Sequence, residues 1–515
     1  MTAPQSCPCC NNWCPSTRQR WQHDSDASTR PEVRMSFRAN VIAMLSGTAA
    51  AQAIPLALSP VLTRLYSPEA IGLQTLFMGW TAALGVAATC RYDLAVVLPD
   101  SDDEADNIAA MVMTIATVVL LVLAAVVALA GSNLADLSGY AGHTAWLWLL
   151  VPMVFGITLT LLGTSYASRE RSFIRIAKAA VFNQAGYAII AVGIGLFGAH
   201  AEGLVWAKMG GQLLGLVVIL GAVGYALRRA ALNWNWARMR QAGHRYRQFL
   251  YYNTPYSLIG TIARDMPIFV FTALSATAAA GFYGLTRTVL LAPTLLVSGA
   301  LSQVFFREAV ALKNTPRLAD LTEGLLKLGL LAGAPLFAFC TVWGDVLFET
   351  LFGATWLQAG HFAMIMAPAA WMSLQTGWPE RLFEVSMRQD VSFKVQITAD
   401  IITAVAVIAP LAMGFDVIIS IAAFTVANLL YHCVYLLAIY RVSGFKTTRL
   451  ARLLGLGWSA FGLSCLVLGA LRLLPGHVLA LAIAAAAVAS ATAAVSGRKL
   501  WRDVALIMQA KETAS

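Results

Sequence analysis

Apolar runs of roughly twenty residues, separated by short polar stretches, follow one another from about residue 39 to residue 496. A hydrocarbon core of ~30 Å takes about 20 residues of helix at ~1.5 Å each, and lipid leaves no backbone polar group a partner outside the helix. The runs predict helices over 39–62, 70–90, 108–130, 145–164, 179–198, 203–227, 249–273, 279–303, 324–342, 359–377, 397–414, 416–439, 453–471 and 477–496. The expected fold class is therefore an all-α integral membrane protein with about 14 transmembrane helices.

The polar stretches add an orientation. Of the 36 Lys and Arg, nearly all lie in loops on the side of the N-terminus. The opposite side holds Arg64 and Arg472, and Lys208, Arg264 and Arg287 fall within spans. Cytoplasmic loops carry the excess of basic residues, so both termini are expected in the cytoplasm. The net charge of +10 then reflects orientation and contact with anionic headgroups, and nucleic acid is not an expected partner.

Residues 1–34 break the pattern. They are polar, lack the apolar core of a signal peptide, and read as a disordered cytoplasmic extension with Met35 opening the folded part. They carry Cys7, Cys9, Cys10 and Cys14, whose spacing fits no standard zinc pattern, and no metal or other cofactor is expected. Cys90, Cys340, Cys433 and Cys465 lie singly in apolar segments and read as small core residues.

A basic, aromatic linker from Arg228 to Phe249 holds six arginines beside Trp234, Trp236 and Tyr246, and suits a segment lying on the headgroup surface. It falls near the middle of the chain. A faint repeat supports two halves: Ala70-Ile71-Gly72-Leu73 and Ala279-Ala280-Gly281-Phe282 both open a helix, 209 residues apart. An offset of six helices preserves orientation, as parallel repeats require. The predicted organisation is the extension 1–34, a six-helix lobe 35–227, the linker 228–248, a second six-helix lobe 249–440 facing the first across a central cleft, and two accessory helices with a tail over 441–515. Pro55 and Pro60 in the first helix and Pro255 and Pro267 in the seventh mark equivalent positions where hinges are expected.

Ionisable groups at membrane depth are costly and usually face a cavity or a partner. Arg287 has no acid in its own span and is the leading candidate for holding an anion. Arg264 and its neighbour Asp265 lie at similar depth, but adjacent helical residues point ~100° apart, so a pair between them is not expected. Lys208 is shallow enough to snorkel outward. Arg91, Asp93 and Asp400 are placed near helix ends, as are Glu323 and Asp345. That leaves Asp265 as the one deep acid and the candidate for coupling to H⁺ or Na⁺.

Val61-Leu62-Thr63-Arg64-Leu65-Tyr66-Ser67-Pro68-Glu69-Ala70-Ile71-Gly72, then Arg91-Tyr92-Asp93-Leu94-Ala95-Val96-Val97-Leu98-Pro99 and the acidic patch Asp100, Asp102, Asp103, Glu104, resembles the N-terminal signature of the polysaccharide biosynthesis proteins. These are the O-antigen flippases and related exporters of the multidrug/oligosaccharidyl-lipid/polysaccharide superfamily. Gly281-Phe282-Tyr283-Gly284-Leu285-Thr286-Arg287, Pro293 and Leu301-Ser302-Gln303-Val304-Phe305-Phe306 look like the family's eighth helix. The resemblance implies a transporter, not an enzyme, in the bacterial inner membrane. It would move an undecaprenyl-pyrophosphate-linked oligosaccharide, an O-antigen or exopolysaccharide unit, from the inner to the outer leaflet by alternating access. The implied partners are this lipid, the surrounding membrane lipids, and a polysaccharide polymerase with other assembly proteins. Related lipid II flippases also place an arginine before a proline in this helix, which puts Arg287 at the diphosphate. Arg64, Arg91 and Arg264 are added as cavity residues from this sequence alone.

Two other readings stay open. A multidrug or metabolite exporter of the same superfamily should carry acidic cavity residues, whereas the deep charges here are mainly basic. A membrane polymerase or ligase should carry a sizeable outer loop with catalytic groups, and the outer His143, His200 and His477 are isolated.

Overall fold

The computed structural model of the chain describes residues 37–138, 144–198, 202–232, 235–274 and 276–509. The four clustered cysteines and the 1–34 extension lie outside the described residues. Helices account for nearly all of the rest, with no strand among the described residues. In chain order they are α1 (Phe37–Leu65), α2 (Pro68–Thr89), α3 (Asp102–Leu137), α4 (Ala145–Arg169), α5 (Phe173–Gly198), α6 (Gly203–Leu232), α7 (Trp236–Arg245), α8 (Thr254–Ala273), α9 (Thr277–Ala311), α10 (Pro316–Phe352), α11 (Leu357–Thr376), α12 (Arg381–Val385), α13 (Gln389–Ala412), α14 (Val417–Val442), α15 (Thr447–Arg472) and α16 (Val478–Gln509).

All fourteen predicted spans are helices, and α7 and α12 are short additions on one side of the bundle. Among the described residues, eleven helices are long and apolar enough by composition alone to cross a membrane. The other three long helices, α1, α8 and α11, each carry proline inside, and Arg264 and Asp265 interrupt the apolar surface of α8. Most ends lie outside the predicted limits. An apolar window detects only the part of a helix within hydrocarbon, and helices such as α10 continue into the polar flanks.

Helix contacts fall into two groups, joined through α2. Helix α4 packs on α2, α3 and α6, and α5 on α6. In the second group α11 packs on α9, α10 and α14, and α8 on α9 and α13. Helices α15 and α16 attach to α10. Trp371 of α11 stacks on Phe461 of α15 at 4.9 Å, and the Trp343 indole of α10 donates to the Leu468 carbonyl at 3.1 Å.

The two groups meet where α2 lies against α8 and α9. The repeated glycines turn out to be the seam itself. A Cβ on Gly281 would overlap the Pro68 carbonyl and come within 3.1 Å of the Gly72 amide nitrogen, so the two copies of the motif touch each other. Small residues let helix backbones approach this closely. On the same side the Trp356 indole donates to the Thr63 carbonyl at 3.0 Å. We call this the Pro68 side and the opposite end, which carries α7, the α7 side.

Pro255 is not inside a helix as expected. It occupies the first turn of α8, where a missing N–H costs nothing, and a π-helical turn over Phe249–Asn253 leads into it. Lys208 does not snorkel. Its ammonium lies 3.6 Å over the Tyr187 ring, and the Tyr187 hydroxyl donates to Gln74 at 3.2 Å.

Candidate functional site

On the α7 side of the seam lies a cavity of about 580 Å³. Its lining is asymmetric. The first group contributes Val86 and Arg91, at the end of α2, and α8, α9, α11, α13 and α14 supply the rest. Tyr283 and Phe424, in edge contact at 5.8 Å, belong to its wall.

Three arginines face this space. Arg287 of α9 is ion-paired to Asp265 of α8, with side-chain exposures of 22% and 11%. The partner that Arg287 lacks in its own span is therefore one helix away, and Asp265, the predicted coupling site, is occupied in holding it. Arg264 is exposed to the cavity and has no ion-pair partner among the described residues. Adjacent positions on α8 thus separate, one carrying a paired acid and the other an unpaired cation.

Arg91 reaches the cavity through the way α2 ends. Cys90 and Arg91 both take left-handed conformations (φ 43° and 57°), which cost non-glycine residues about 1–2 kcal/mol each. The turn Tyr92–Val97 follows. The Arg91 Nε is buried with no hydrogen-bond partner, and so is Oδ1 of Asp93. Burial pushes the Asp93 carboxyl above its ordinary pKa, with the Arg91 guanidinium and the Thr89 hydroxyl pulling it back.

The fourth predicted arginine does not join them. Arg64 is exposed near the end of α1 on the Pro68 side and lies outside the cavity lining. Its span ends where the two groups are sealed together.

Asp400 requires the larger correction. The sequence reading begins its helix at residue 397 and puts it at headgroup level, but α13 starts at Gln389, which places Asp400 mid-helix and in the cavity wall. The carboxylate in the cavity lining is therefore Asp400, not Asp265. The Gln396 amide donates to Asp400 at 2.8 Å and accepts from the Tyr431 hydroxyl at 2.6 Å. Across the same wall Thr376 and His432 lie 2.9 Å apart. This polar side was missed because only formal charges were weighed, although Gln396 and Asp400, four residues apart, share a helix face. Glu323 and Asp345 lie within α10, ion-paired to Arg449 and Arg472 of α15.

A second Arg–Asp cluster sits in the first group. Asp106 of α3 is 1% exposed; it accepts from the Tyr166 hydroxyl at 2.8 Å and pairs with Arg229 at 3.2 Å. Arg169 pairs with Asp102 at 3.1 Å and donates to the Pro99 carbonyl.

The cavity can therefore hold a ligand with an anionic group toward Arg264 and Arg287 and hydrogen-bonding groups toward Gln396, Asp400 and Tyr431. Among the described residues no cluster of His, Cys, Asp or Glu could hold a metal.

Residues 61–361 match the sequence profile described as polysaccharide biosynthesis protein. No curated protein matches the chain in sequence. Among solved structures it is similar to the lipid II flippase MurJ in an inward closed conformation, with TM-score 0.71, 12% identity, and coverage of 90% of this chain and 99% of that one. It is also similar to an inward-facing multidrug resistance MATE family transporter of the MOP superfamily (TM-score 0.53, 13% identity, 81% and 97% covered) and to a MATE protein in complex with MaD5 (0.52, 13%, 78% and 94%). At these identities the likeness establishes a shared fold.

Proposed function

The chain belongs to the polysaccharide biosynthesis protein family, and on that footing we propose that it is a flippase for a lipid-linked oligosaccharide. The substrate on this reading is an undecaprenyl-pyrophosphate-linked O-antigen or exopolysaccharide unit, passed from the inner to the outer leaflet of the bacterial inner membrane. Both termini and the α7 side face the cytoplasm. The protein transports without catalysing a reaction, and a polymerase and other assembly proteins take up its product.

The observation that carries this reading is the excess of arginine in a cavity between long, mostly apolar helices, with Arg264 unmatched and Arg287 held by one acid. A diphosphate cannot cross hydrocarbon, because burying uncompensated charge costs many kcal/mol. Guanidinium groups replace its hydration with charge-assisted, bidentate hydrogen bonds, while the prenyl tail stays in lipid. Asp265 holds Arg287, and the diphosphate competes for it. Neutralising Asp265 with H⁺, or screening it with Na⁺, would free Arg287 for substrate, which is how an ion gradient would couple to transport. Opening the Gly72–Gly281 seam while the α7 side closes completes an alternating-access cycle.

Asp400 favours a second reading, export of a cationic drug or metabolite, since it supplies a carboxylate to the wall. Complementation of surface polysaccharide export separates the two. Arg287→Ala is expected to abolish export and Arg287→Lys to impair it although charge is kept. Undiminished export by Arg287→Ala at equal protein level would remove the diphosphate reading.

A further inference from the structure

The linker forms a second site, apart from the transport cavity. Helix α7 is capped by Asn235, whose side chain accepts from the Arg238 amide at 3.2 Å, and it presents two unlike faces. Met239 and Ala242 are buried toward the first group of helices. Gly243 brings α7 down onto α3: a Cβ there would lie 3.0 Å from the Met111 sulfur. Arg245 fastens the end of α7 to Glu104 at 2.9 and 3.1 Å. The other cations of the segment, Arg238, Arg240, His244 and Arg247, are exposed, and no ion-pair partner for them occurs among the described residues.

Between α7, α3 and the π-helical turn is a crevice of about 1080 Å³. Its floor includes Met111 and Ile115 of α3 with Leu250, its rim carries Arg240 and Arg247, and Trp236 and Tyr251, each 66% exposed, also line it. On α3 the lining runs over one turn, Met111 to Ile115, nine to thirteen residues (~14–20 Å) along that helix from Asp102.

We propose that this crevice binds one anionic phospholipid, its phosphate on Arg240 and Arg247 and an acyl chain over Met111, Ile115 and Leu250. The two-part chemistry selects the occupant. A soluble phosphate has no use for an apolar floor, a zwitterionic lipid gains less from two unpaired guanidinium groups, and exposed Trp and Tyr are the residues that settle at headgroup level. The site also joins both walls of the transport cavity. The Tyr92 hydroxyl donates to the Gly243 carbonyl at 3.1 Å and Tyr92 follows Arg91 in the chain, while the π-helical turn runs into α8 and its Arg264. A seated lipid thereby fixes α7 against the two segments that carry cavity arginines.

Binding is read without transport, so its outcome is independent of the flippase reading. Full-length protein in non-ionic detergent is titrated with phosphatidylglycerol, phosphatidylcholine or inorganic phosphate, and lipid adducts are counted by native mass spectrometry. Phosphatidylglycerol is expected to bind at roughly thirtyfold lower concentration than phosphatidylcholine, the scale of two basic side chains near an anionic surface. R240Q/R247Q is expected to lose that preference, and R240K/R247K and the distant R452Q to keep it. Equal binding of the two lipids, preference surviving in R240Q/R247Q, or displacement of phosphatidylglycerol by millimolar phosphate would each overturn the proposal. Should R240Q/R247Q fail to fold, brominated lipids decide on the wild-type protein: brominated phosphatidylglycerol should quench Trp236 fluorescence, taken as the difference from W236F, more than brominated phosphatidylcholine does. Equal quenching would overturn the assignment.

Discussion

In the first group of helices, Asp106 receives the Tyr166 hydroxyl and the Arg229 guanidinium, while Arg169 is taken up by Asp102 and a carbonyl. In the second, Asp265 meets Arg287 with Tyr283 close by, but Arg264 is left over and the whole arrangement opens on a cavity. The residue types are nearly the same. What differs is whether the charges balance among themselves, and a balanced cluster leaves nothing with which to attract a ligand. Balance marks the first as a brace and surplus marks the second as a site, a distinction that single substitutions can break.

The largest effect is expected at the brace. Asp106→Ala strands the buried Tyr166 hydroxyl and takes from Arg229 the nearer of its two carboxylates, and should cost about 2–3 kcal/mol, read as a fall in the thermal midpoint of detergent-solubilised protein. Asp265→Ala should cost about 1 kcal/mol or less, because Arg287 can turn into a hydrated cavity. Equal losses at the two aspartates would erase the distinction. The converse holds for binding. Arg264→Ala should weaken a short-chain polyprenyl diphosphate about tenfold to a hundredfold, the range for a hydrogen bond to a charged group, measured by titration calorimetry. Its midpoint should stay within about 0.5 kcal/mol of the parent, since no ion pair is lost. A stability loss without an affinity loss would make Arg264 part of a brace.

The brace and the site were unequally legible in the sequence. Fourteen spans follow from apolar length, and the repeated Gly72 and Gly281 prove to lie against each other where α2 meets α9. Arg264 and Arg287 stood out because charge is rare within apolar runs. Their difference did not, since the pairing of Arg287 with Asp265 depends on how α8 rotates against α9, which neither span encodes alone. Asp400 was missed for a local reason: the first turns of α13, from Gln389 to Gln396, are too polar to register as membrane helix, so a mid-helix acid looked terminal. Arg64 lies within the signature run, but membership in a motif places no side chain in a cavity.

Asp93 lies between the two cases and gives the smallest effect. It is 1% exposed, two residues from the cavity's Arg91, and its carboxyl is pushed above the ordinary value near ~3.9 because burial outweighs the help from Arg91 and Thr89. The folded state therefore holds this proton more tightly than the unfolded chain does. Its contribution is most favourable below the ordinary carboxylate pKa and is lost as pH rises from there through the raised folded value. Asp93→Asn keeps the shape without the charge, so thermal midpoints measured from pH 4 to 8 should decline less with pH than the parent's, leaving the variant equal or more stable at pH 7 by about 1 kcal/mol or less. A variant clearly less stable at pH 7 would mean that Asp93 braces Arg91 as Asp106 braces Arg229. Arg91 would then leave the cavity's surplus, and Arg264 and Arg287 would have to hold a diphosphate by themselves.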